Sequence, residues 1–87
     1  MNIYLSSQYL KAYKKLVKNQ PYIHKKVKNK LKLFQENPNH SSLRLHKLHG
    51  GSYKNWSISI EKDIRLLFSY VKGGVLLVNI GTHDQVY

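Results

Sequence analysis

The spacing of hydrophobic residues predicts two amphipathic helices in the first half of the chain. Two sets of apolar and aromatic residues recur at helical spacing: Tyr9, Leu10, Tyr13, Leu16 and Val17, then Ile23, Val27, Leu31 and Phe34. Ser6 or Ser7 can cap the first helix, and Pro21 suits the first turn of the second. The segment Glu36-Asn37-Pro38-Asn39 ends the second helix. We therefore expect a helical hairpin with one apolar side and one cationic side.

The second half of the chain alternates between apolar and polar residues, which predicts β-strands. Two alternating sets and then an apolar run follow one another: Trp56, Ile58 and Ile60, then Ile64, Leu66, Phe68 and Tyr70, then residues 75–80. Tight turns can form at Glu61-Lys62-Asp63 and at Lys72-Gly73-Gly74, and residues 1–5 alternate weakly as a further strand. We predict a single α+β domain over residues 1–87 in the order β-α-α-β-β-β. Its antiparallel sheet would pack one face against the helical hairpin and leave the other face available.

The charge of the chain is strongly positive and unevenly distributed. Fifteen Lys and Arg residues face four acids, giving a net charge of +11. Residues 1–35 contain no acid, yet carry nine lysines: Lys11, Lys14, Lys15, Lys18, Lys25, Lys26, Lys28, Lys30 and Lys32. Such a field attracts polyanions, so a nucleic acid or an acidic protein is the expected partner, with a merely solvated helical face as the alternative.

Other features of the composition exclude several classes of protein. The chain has no cysteine, so disulfides and thiolate metal sites cannot contribute. It has no apolar run of membrane-spanning length and no recognisable targeting segment at its start. We therefore expect a soluble, cytoplasmic protein that does not bind a membrane.

The segment Gly81-Thr82-His83-Asp84-Gln85-Val86-Tyr87 places an imidazole and a phenol just after the last predicted strand. RNA can be cleaved without a metal when one group removes the proton of the 2′-hydroxyl, another protonates the leaving 5′-oxygen, and a cation stabilises the phosphate charge. Histidine suits both proton-transfer roles near neutral pH, so His83 is the first candidate for general acid or base. Tyr87 could stack on a base or bond the phosphate through its hydroxyl.

Arg65 is the candidate for the fixed cation. It lies in an otherwise apolar strand, on the face opposite Ile64 and Leu66. An arginine is costly there unless that face is a wet, anion-binding groove, and a planar guanidinium fits phosphate well. The alternative is an ion pair with Glu61 or Asp63.

The run Leu45-His46-Lys47-Leu48-His49-Gly50 adds two imidazoles and a lysine ahead of the predicted strands. We interpret His46 as a second proton carrier or a phosphate contact, and Lys47 and His49 as RNA-binding residues; the alternative is two solvated loop histidines. No cluster of Asp, Glu or Cys accompanies them, so we expect neither a metal nor a cofactor. Asp63 is a weaker candidate, because turns favour acidic residues in any case.

Three motifs in this order resemble the RelE/ParE superfamily of bacterial toxins, and the YafQ branch in particular. They are Leu-His-Lys-Leu-His-Gly at 45–50, Asp-Ile-Arg-Leu-Leu-Phe at 63–68 and Asn-Ile-Gly-Thr-His-Asp-Gln-Val-Tyr at 79–87. The resemblance covers nearly the whole chain. It implies a RelE-like fold and a toxin that acts as a metal-independent endoribonuclease on mRNA in the ribosomal A site, thereby inhibiting translation. It also implies a cognate acidic antitoxin as partner.

The same resemblance suggests roles for individual residues. His83 and His46 match histidines of the YafQ branch, Asp63 matches a functional aspartate, and Tyr87 matches a catalytic-site aromatic. Arg65 instead matches the strand arginine of RelE and YoeB, and Lys54 lies near the position of RelE's lysines. Three YafQ-branch residues differ, since Ser59, Ile64 and Asn79 stand where that branch has histidine, tryptophan and arginine.

Two other functions compete with RNA cleavage. One is a ParE-like toxin that inhibits DNA gyrase without cutting nucleic acid. The other is a basic RNA-binding module without catalysis. A cleft that brings His83 and Arg65 together would favour the nuclease over both.

Overall fold

The computed structural model describes residues 1–48 and 55–86. In chain order its elements are β1 (Asn2–Leu5), α1 (Ser7–Asn19), α2 (Ile23–Glu36), a 3₁₀ turn (Ser41–Leu43), β2 (His46–Lys47), β3 (Asn55–Glu61), β4 (Ile64–Val71), β5 (Gly74–Gly81) and α3 (His83–Val86). The predicted helical hairpin, the strand meander and the α+β class are confirmed. His49, Lys54 and Tyr87 lie outside the described residues.

The strands form a five-stranded sheet in the order β1-β5-β4-β3-β2. The pairs β2–β3, β3–β4 and β4–β5 are antiparallel, and β1 joins β5 in parallel, with Asn2 opposite Gly74. The turn between β4 and β5 requires Gly73, whose φ is +82°, a conformation that glycine adopts without a steric penalty. The long run 75–80 is thus an internal strand, which explains why it is apolar on both sides.

The hydrophobic core lies between one face of the sheet and the two long helices. The buried side chains that form it are Tyr9, Ile23, Val27, Phe34, Leu43, Ile58, Ile60, Ile64, Leu66, Phe68, Val75, Leu77 and Ile80. Phe34 of α2 and Phe68 of β4 meet edge to face at its centre, with ring centroids 5.0 Å apart. Because Ile64, Leu66 and Phe68 all point to this side, the residues between them must point to the other.

Four features depart from the predicted pattern. His46 and Lys47 form a short edge strand rather than a loop, and residues 83–86 form a helical turn. The register between β4 and β5 shifts at Leu67/Phe68, which explains why both Leu77 and Ile80 reach the core. The second sheet face is only partly available, because Ser57 and Leu67 on it are buried. Within the described part of the chain, no helix is both long and apolar enough to span a membrane.

The start of α1 is fixed by Ser6, which we expect to be measurable as stability. The Ser6 hydroxyl accepts a hydrogen bond from the Tyr9 N–H (3.0 Å) and donates one to the Val78 carbonyl of β5 (3.1 Å). Ser6→Ala should therefore lower the free energy of unfolding by about 1–2 kcal/mol in urea denaturation. Ser7→Ala is the matched control, because Ser7 is exposed and should change stability little. Equal losses in the two variants would contradict the capping role.

Candidate active site

Arg65 lies in the middle of a row of residues that crosses the sheet on the face away from the helical hairpin. The strand register places Ser59 of β3 on one side of Arg65 and Gly81 of β5 on the other. Residues directly opposite each other share a face of the sheet. On its β5 side the row ends at Gly81, which lies two residues before His83 in the chain.

The guanidinium of Arg65 is half-enclosed and incompletely bonded. Its Nη1 atom is buried and has no hydrogen-bond partner among the residues that the structure describes. Burying a polar group without a partner costs free energy, and a guanidinium cannot escape by losing its proton. Neither Glu61 nor Asp63 forms an ion pair with Arg65 within the described ranges, contrary to the alternative considered above. Arg65 also lines an open cleft, so the part of its side chain that faces this cleft is available to an anion.

Glu61 instead joins the start of α2 to the turn between β3 and β4. Its carboxylate lies 3.2 Å from Lys26 Nζ and accepts a hydrogen bond of 2.9 Å from the Tyr22 hydroxyl. That hydrogen bond raises the pKa of the Tyr22 hydroxyl above its ordinary value. The contacts hold the turn that carries Lys62 and Asp63 next to α2.

A cleft of about 470 Å³ brings several of the candidate residues together. Its walls come from the β3–β4 turn, β4 and the start of α3, and its lining residues are Lys62, Asp63, Arg65, Thr82, His83 and Asp84. We call it the His83 cleft. It combines two cations, two carboxylates and one imidazole around an open space that is large enough for a phosphate group.

The short helix α3 sets the position of His83. The Gln85 side chain reaches back and accepts a hydrogen bond from the Thr82 N–H (2.9 Å), while the N–H groups of Gln85 and Val86 donate to the Thr82 carbonyl (3.0 and 3.1 Å). This is the Thr-x-x-Gln form of a capping box, in which the glutamine satisfies the first backbone donor. A Cβ atom at Gly81 would lie 2.6 Å from Gln85 Oε1, so glycine lets α3 approach β5 closely.

His83 is exposed on this helix and lies beside Asp84. Its Nδ1 atom is 3.8 Å from Asp84 Oδ1, and both side chains face solvent at the edge of the cleft. The sequence pattern gave no reason to select Lys62 or Asp84 for the site. The Thr-x-x-Gln spacing was the available signal for α3, and it would have placed His83 in the first turn of a helix.

His46 lies on the same sheet face as Arg65 but outside the His83 cleft. Its register partner is Ser57, which puts it two strands away from β4 and in the next row across the sheet. Strand spacing and rise then place the Cα atoms of His46 and Arg65 about 12 Å apart. The His46 ring is 3.4 Å from the Arg44 carbonyl. Lys47 is exposed and, as the partner of Trp56, belongs to the other face.

Asp63 is the second predicted residue that the structure brings beside Arg65, since both line the His83 cleft. Positions 49, 54 and 87, where we expected two RNA contacts and an aromatic site residue, fall outside the described ranges. Within residues 1–48 and 55–86, no group of three His, Asp or Glu side chains is arranged to hold a metal ion.

Comparison with solved structures finds bacterial toxins of the same fold. YafQ from E. coli strain BL21(DE3) superposes with a TM-score of 0.83 at 20% identity, over 99% of this chain and 97% of that one. The toxin–antitoxin complex DinJ–YafQ of E. coli gives 0.82 at 23% identity, over 99% and 96%. The YoeB–YefM complex from Staphylococcus aureus gives 0.77 at 23% identity, over 95% and 97%. No curated protein matches the chain.

The fold is that of the RelE superfamily, which includes YafQ and the YoeB/ParE-type toxins. The whole chain, residues 1–87, matches the model of one protein family. That family is described as 'Bacterial toxin of type II toxin-antitoxin system, YafQ'. The chain belongs to this YafQ toxin family. The resemblance seen in the three sequence motifs is confirmed, and so is the RelE-like fold.

Proposed function

We propose that this toxin is a metal-independent endoribonuclease that cleaves mRNA in the ribosomal A site and thereby inhibits translation. The observation that carries the proposal is that Arg65, which forms no ion pair with an acid among the described residues, lines the cleft that also contains His83. A guanidinium without an ion pair can donate hydrogen bonds from its cleft-facing side to an anion, and no existing ion pair has to break. Cleavage of a phosphodiester needs a cation and two proton-transfer groups, and this cleft combines the cation with an imidazole that can transfer a proton.

In the proposed reaction, the scissile phosphate binds to Arg65. One proton-transfer group removes the proton of the 2′-hydroxyl, and the 2′-oxygen attacks phosphorus. The bond from phosphorus to the 5′-oxygen breaks, and a second group protonates that oxygen, which leaves a 2′,3′-cyclic phosphate. Arg65 stabilises the charge that builds up on the phosphate oxygens between these steps.

His83 provides one of the two proton transfers. Asp63 lies in the same cleft and is the nearer candidate for the second proton transfer. His46 is the alternative, and it would act on an RNA strand that runs past Arg65 across the sheet face. Tyr87 would position the scissile nucleotide, and His49 and Lys54 would contact the RNA, whereas Lys47 lies on the opposite face of the sheet. The single domain would need no metal or cofactor for this chemistry.

A cognate acidic antitoxin would neutralise the toxin in the cytoplasm. The net charge of +11 favours an acidic protein partner, and the similar YafQ and YoeB chains have been solved in complexes with DinJ and YefM. Because the charge is concentrated in the first 35 residues, we expect the antitoxin to cover much of the helical hairpin.

Primer extension on an mRNA that is translated in the presence of the purified toxin tests the proposal. New 5′ ends should appear within the coding sequence. The same mRNA without ribosomes tests ribosome dependence. Intact mRNA together with loss of gyrase supercoiling would favour the ParE-like alternative, and intact mRNA that is bound without cleavage would favour the RNA-binding module.

Gln85 provides a test of how α3 positions His83. Gln85→Ala removes the acceptor for the Thr82 N–H, and we expect cleavage to fall about tenfold because a helix cap is worth about 1 kcal/mol or more. Gln85→Glu puts a carboxylate oxygen where the amide oxygen accepts the hydrogen bond, and it should retain most of the activity. Single-turnover cleavage rates measure both variants, and equal losses in the two would contradict the capping role.

A further inference from the structure

We propose that a second cleft, on the other side of Arg65, binds the phosphate of the nucleotide next to the scissile one. The inference rests on the proposed function, because it takes the His83 cleft as the place where the RNA is cut. The second cleft would be a binding subsite beside the His83 cleft. Its ligand would be a backbone phosphate of single-stranded RNA.

The second cleft has a volume of about 360 Å³ and lies between α2, the 3₁₀ turn and the β3–β4 turn. Its lining residues are Lys30, Ser42, Arg44, Ser59, Ile60, Glu61, Lys62 and Arg65. We call it the Arg44 cleft. Four of these side chains are cationic, and Glu61 is the one acid among them.

The charge of the Arg44 cleft is less balanced than that of the His83 cleft. The Glu61 carboxylate is already engaged by Lys26 and by the Tyr22 hydroxyl, so it offsets little of the positive charge facing the cleft. The His83 cleft, in contrast, contains two carboxylates and an imidazole. One cleft therefore has groups that can move protons, and the other has mainly groups that can hold an anion.

The two clefts share a wall, which consists of Lys62 and Arg65. An anionic chain bound to Arg65 in the His83 cleft would therefore enter the Arg44 cleft as soon as it passes these side chains. RNA is such a chain, with one phosphate in each nucleotide. Because Arg65 lines both clefts, an RNA chain bound to it can occupy both clefts at once.

The backbone at Arg44 also indicates a role for its side chain. Arg44 has φ +47° and ψ +46°, the left-handed conformation, and its N–H donates to the Ser41 carbonyl (3.2 Å) to end the 3₁₀ turn. Glycine or asparagine adopts this conformation at less cost than arginine does. Strained backbone positions cluster at functional sites, and here the side chain of the strained residue lines the cationic cleft.

The test measures the binding of short RNAs made uncleavable by a 2′-deoxy substitution at the scissile position. Fluorescence anisotropy gives Kd over a range of KCl concentrations for a dinucleotide and for forms extended by one nucleotide at either end. The variant is Lys30→Gln combined with Arg44→Asn, since asparagine tolerates the left-handed backbone. The control is Lys11→Gln combined with Lys18→Gln, which removes the same charge from an exposed part of α1.

We expect one of the two extensions to tighten binding to the wild-type protein. The variant Lys30→Gln/Arg44→Asn should lose this gain in affinity, so that its Kd for the extended RNA rises about tenfold. For the extended RNA, the slope of log K against log salt should fall in magnitude by about 0.7, the value for one lost phosphate contact to a single strand. The dinucleotide should bind the variant and the wild type alike, and the control variant should behave as wild type with all of the RNAs.

Two outcomes of the RNA-binding experiment would overturn the inference while leaving the proposed function intact. One is cleavage by the wild type together with unchanged binding and salt slope in the cleft variant. The other is an equal loss in the control variant, which would indicate diffuse attraction. If the variant loses affinity for an acidic peptide but not for RNA, the cleft is a protein-binding surface and the inference is also wrong. If the wild type binds RNA through the cleft but never cuts it, the subsite stands and the proposed function fails.

Discussion

Replacing Arg65 with methionine is expected to reduce RNA cleavage by about 10²–10³-fold, the usual cost of removing one preorganised donor to a developing negative charge. The free energy of unfolding should stay the same or rise. Methionine fills a similar space, and it removes the buried Nη1 atom that has no partner among the described residues. Single-turnover cleavage and urea denaturation measure the two effects.

The combination of the two effects is what distinguishes a functional arginine from a structural one. A structural arginine would lose stability and activity together, because its removal would leave buried partners unsatisfied. Arg65→Lys is a useful intermediate, since it keeps the charge but loses the planar fork that fits phosphate, and we expect partial activity. A clearly destabilised but fully active Arg65→Met protein would refute the assignment.

His83→Ala is expected to lower the cleavage rate by about 10²–10⁴-fold, the range over which general acid–base groups contribute. Because the side chain is exposed at the edge of the cleft, its removal should leave the melting temperature almost unchanged. RNA binding should also persist, since Arg65 and the neighbouring lysines remain. Primer extension on translated mRNA and circular dichroism provide the measurements.

The matched control for His83 is His24→Ala. His24 is an exposed histidine of α2 that bonds the Tyr13 hydroxyl and lies outside both clefts. Its replacement should leave the cleavage rate as it is. A His83→Ala protein that cuts as fast as wild type would exclude His83 from the chemistry and would turn attention to Asp63 in the same cleft.

The parts of the fold that were predictable depend on local signals. The Ser6 cap, the alternation in β3 and β4 and the turn at Gly73 each follow from residues close together in the chain. The short strand β2 could not be found in this way, because two residues carry no period and are strands only through their pairing with β3. The register shift opposite Leu67 depends likewise on contacts between strands.

The candidate site was predictable in its residue types but not in its grouping. The place of Arg65 on the polar side of an apolar strand predicted a wet face, and the structure puts Asp63 and His83 around it. The separation of His46 from that cleft depends on register, which the sequence does not contain. The cationic character of the neighbouring cleft depends on Glu61 being engaged by Lys26, a contact between residues far apart in the chain.

The parallel pairing of β1 with β5 has a consequence for the order of folding. It joins residues 2–5 to residues 74–77, so both long helices lie within the loop that it closes. Contacts this distant in sequence cost the most chain entropy and usually form late. The walls of the His83 cleft come instead from successive hairpins and the turn after them, whose contacts are local. The His83 cleft can therefore take shape in the folding chain before the first strand closes the sheet.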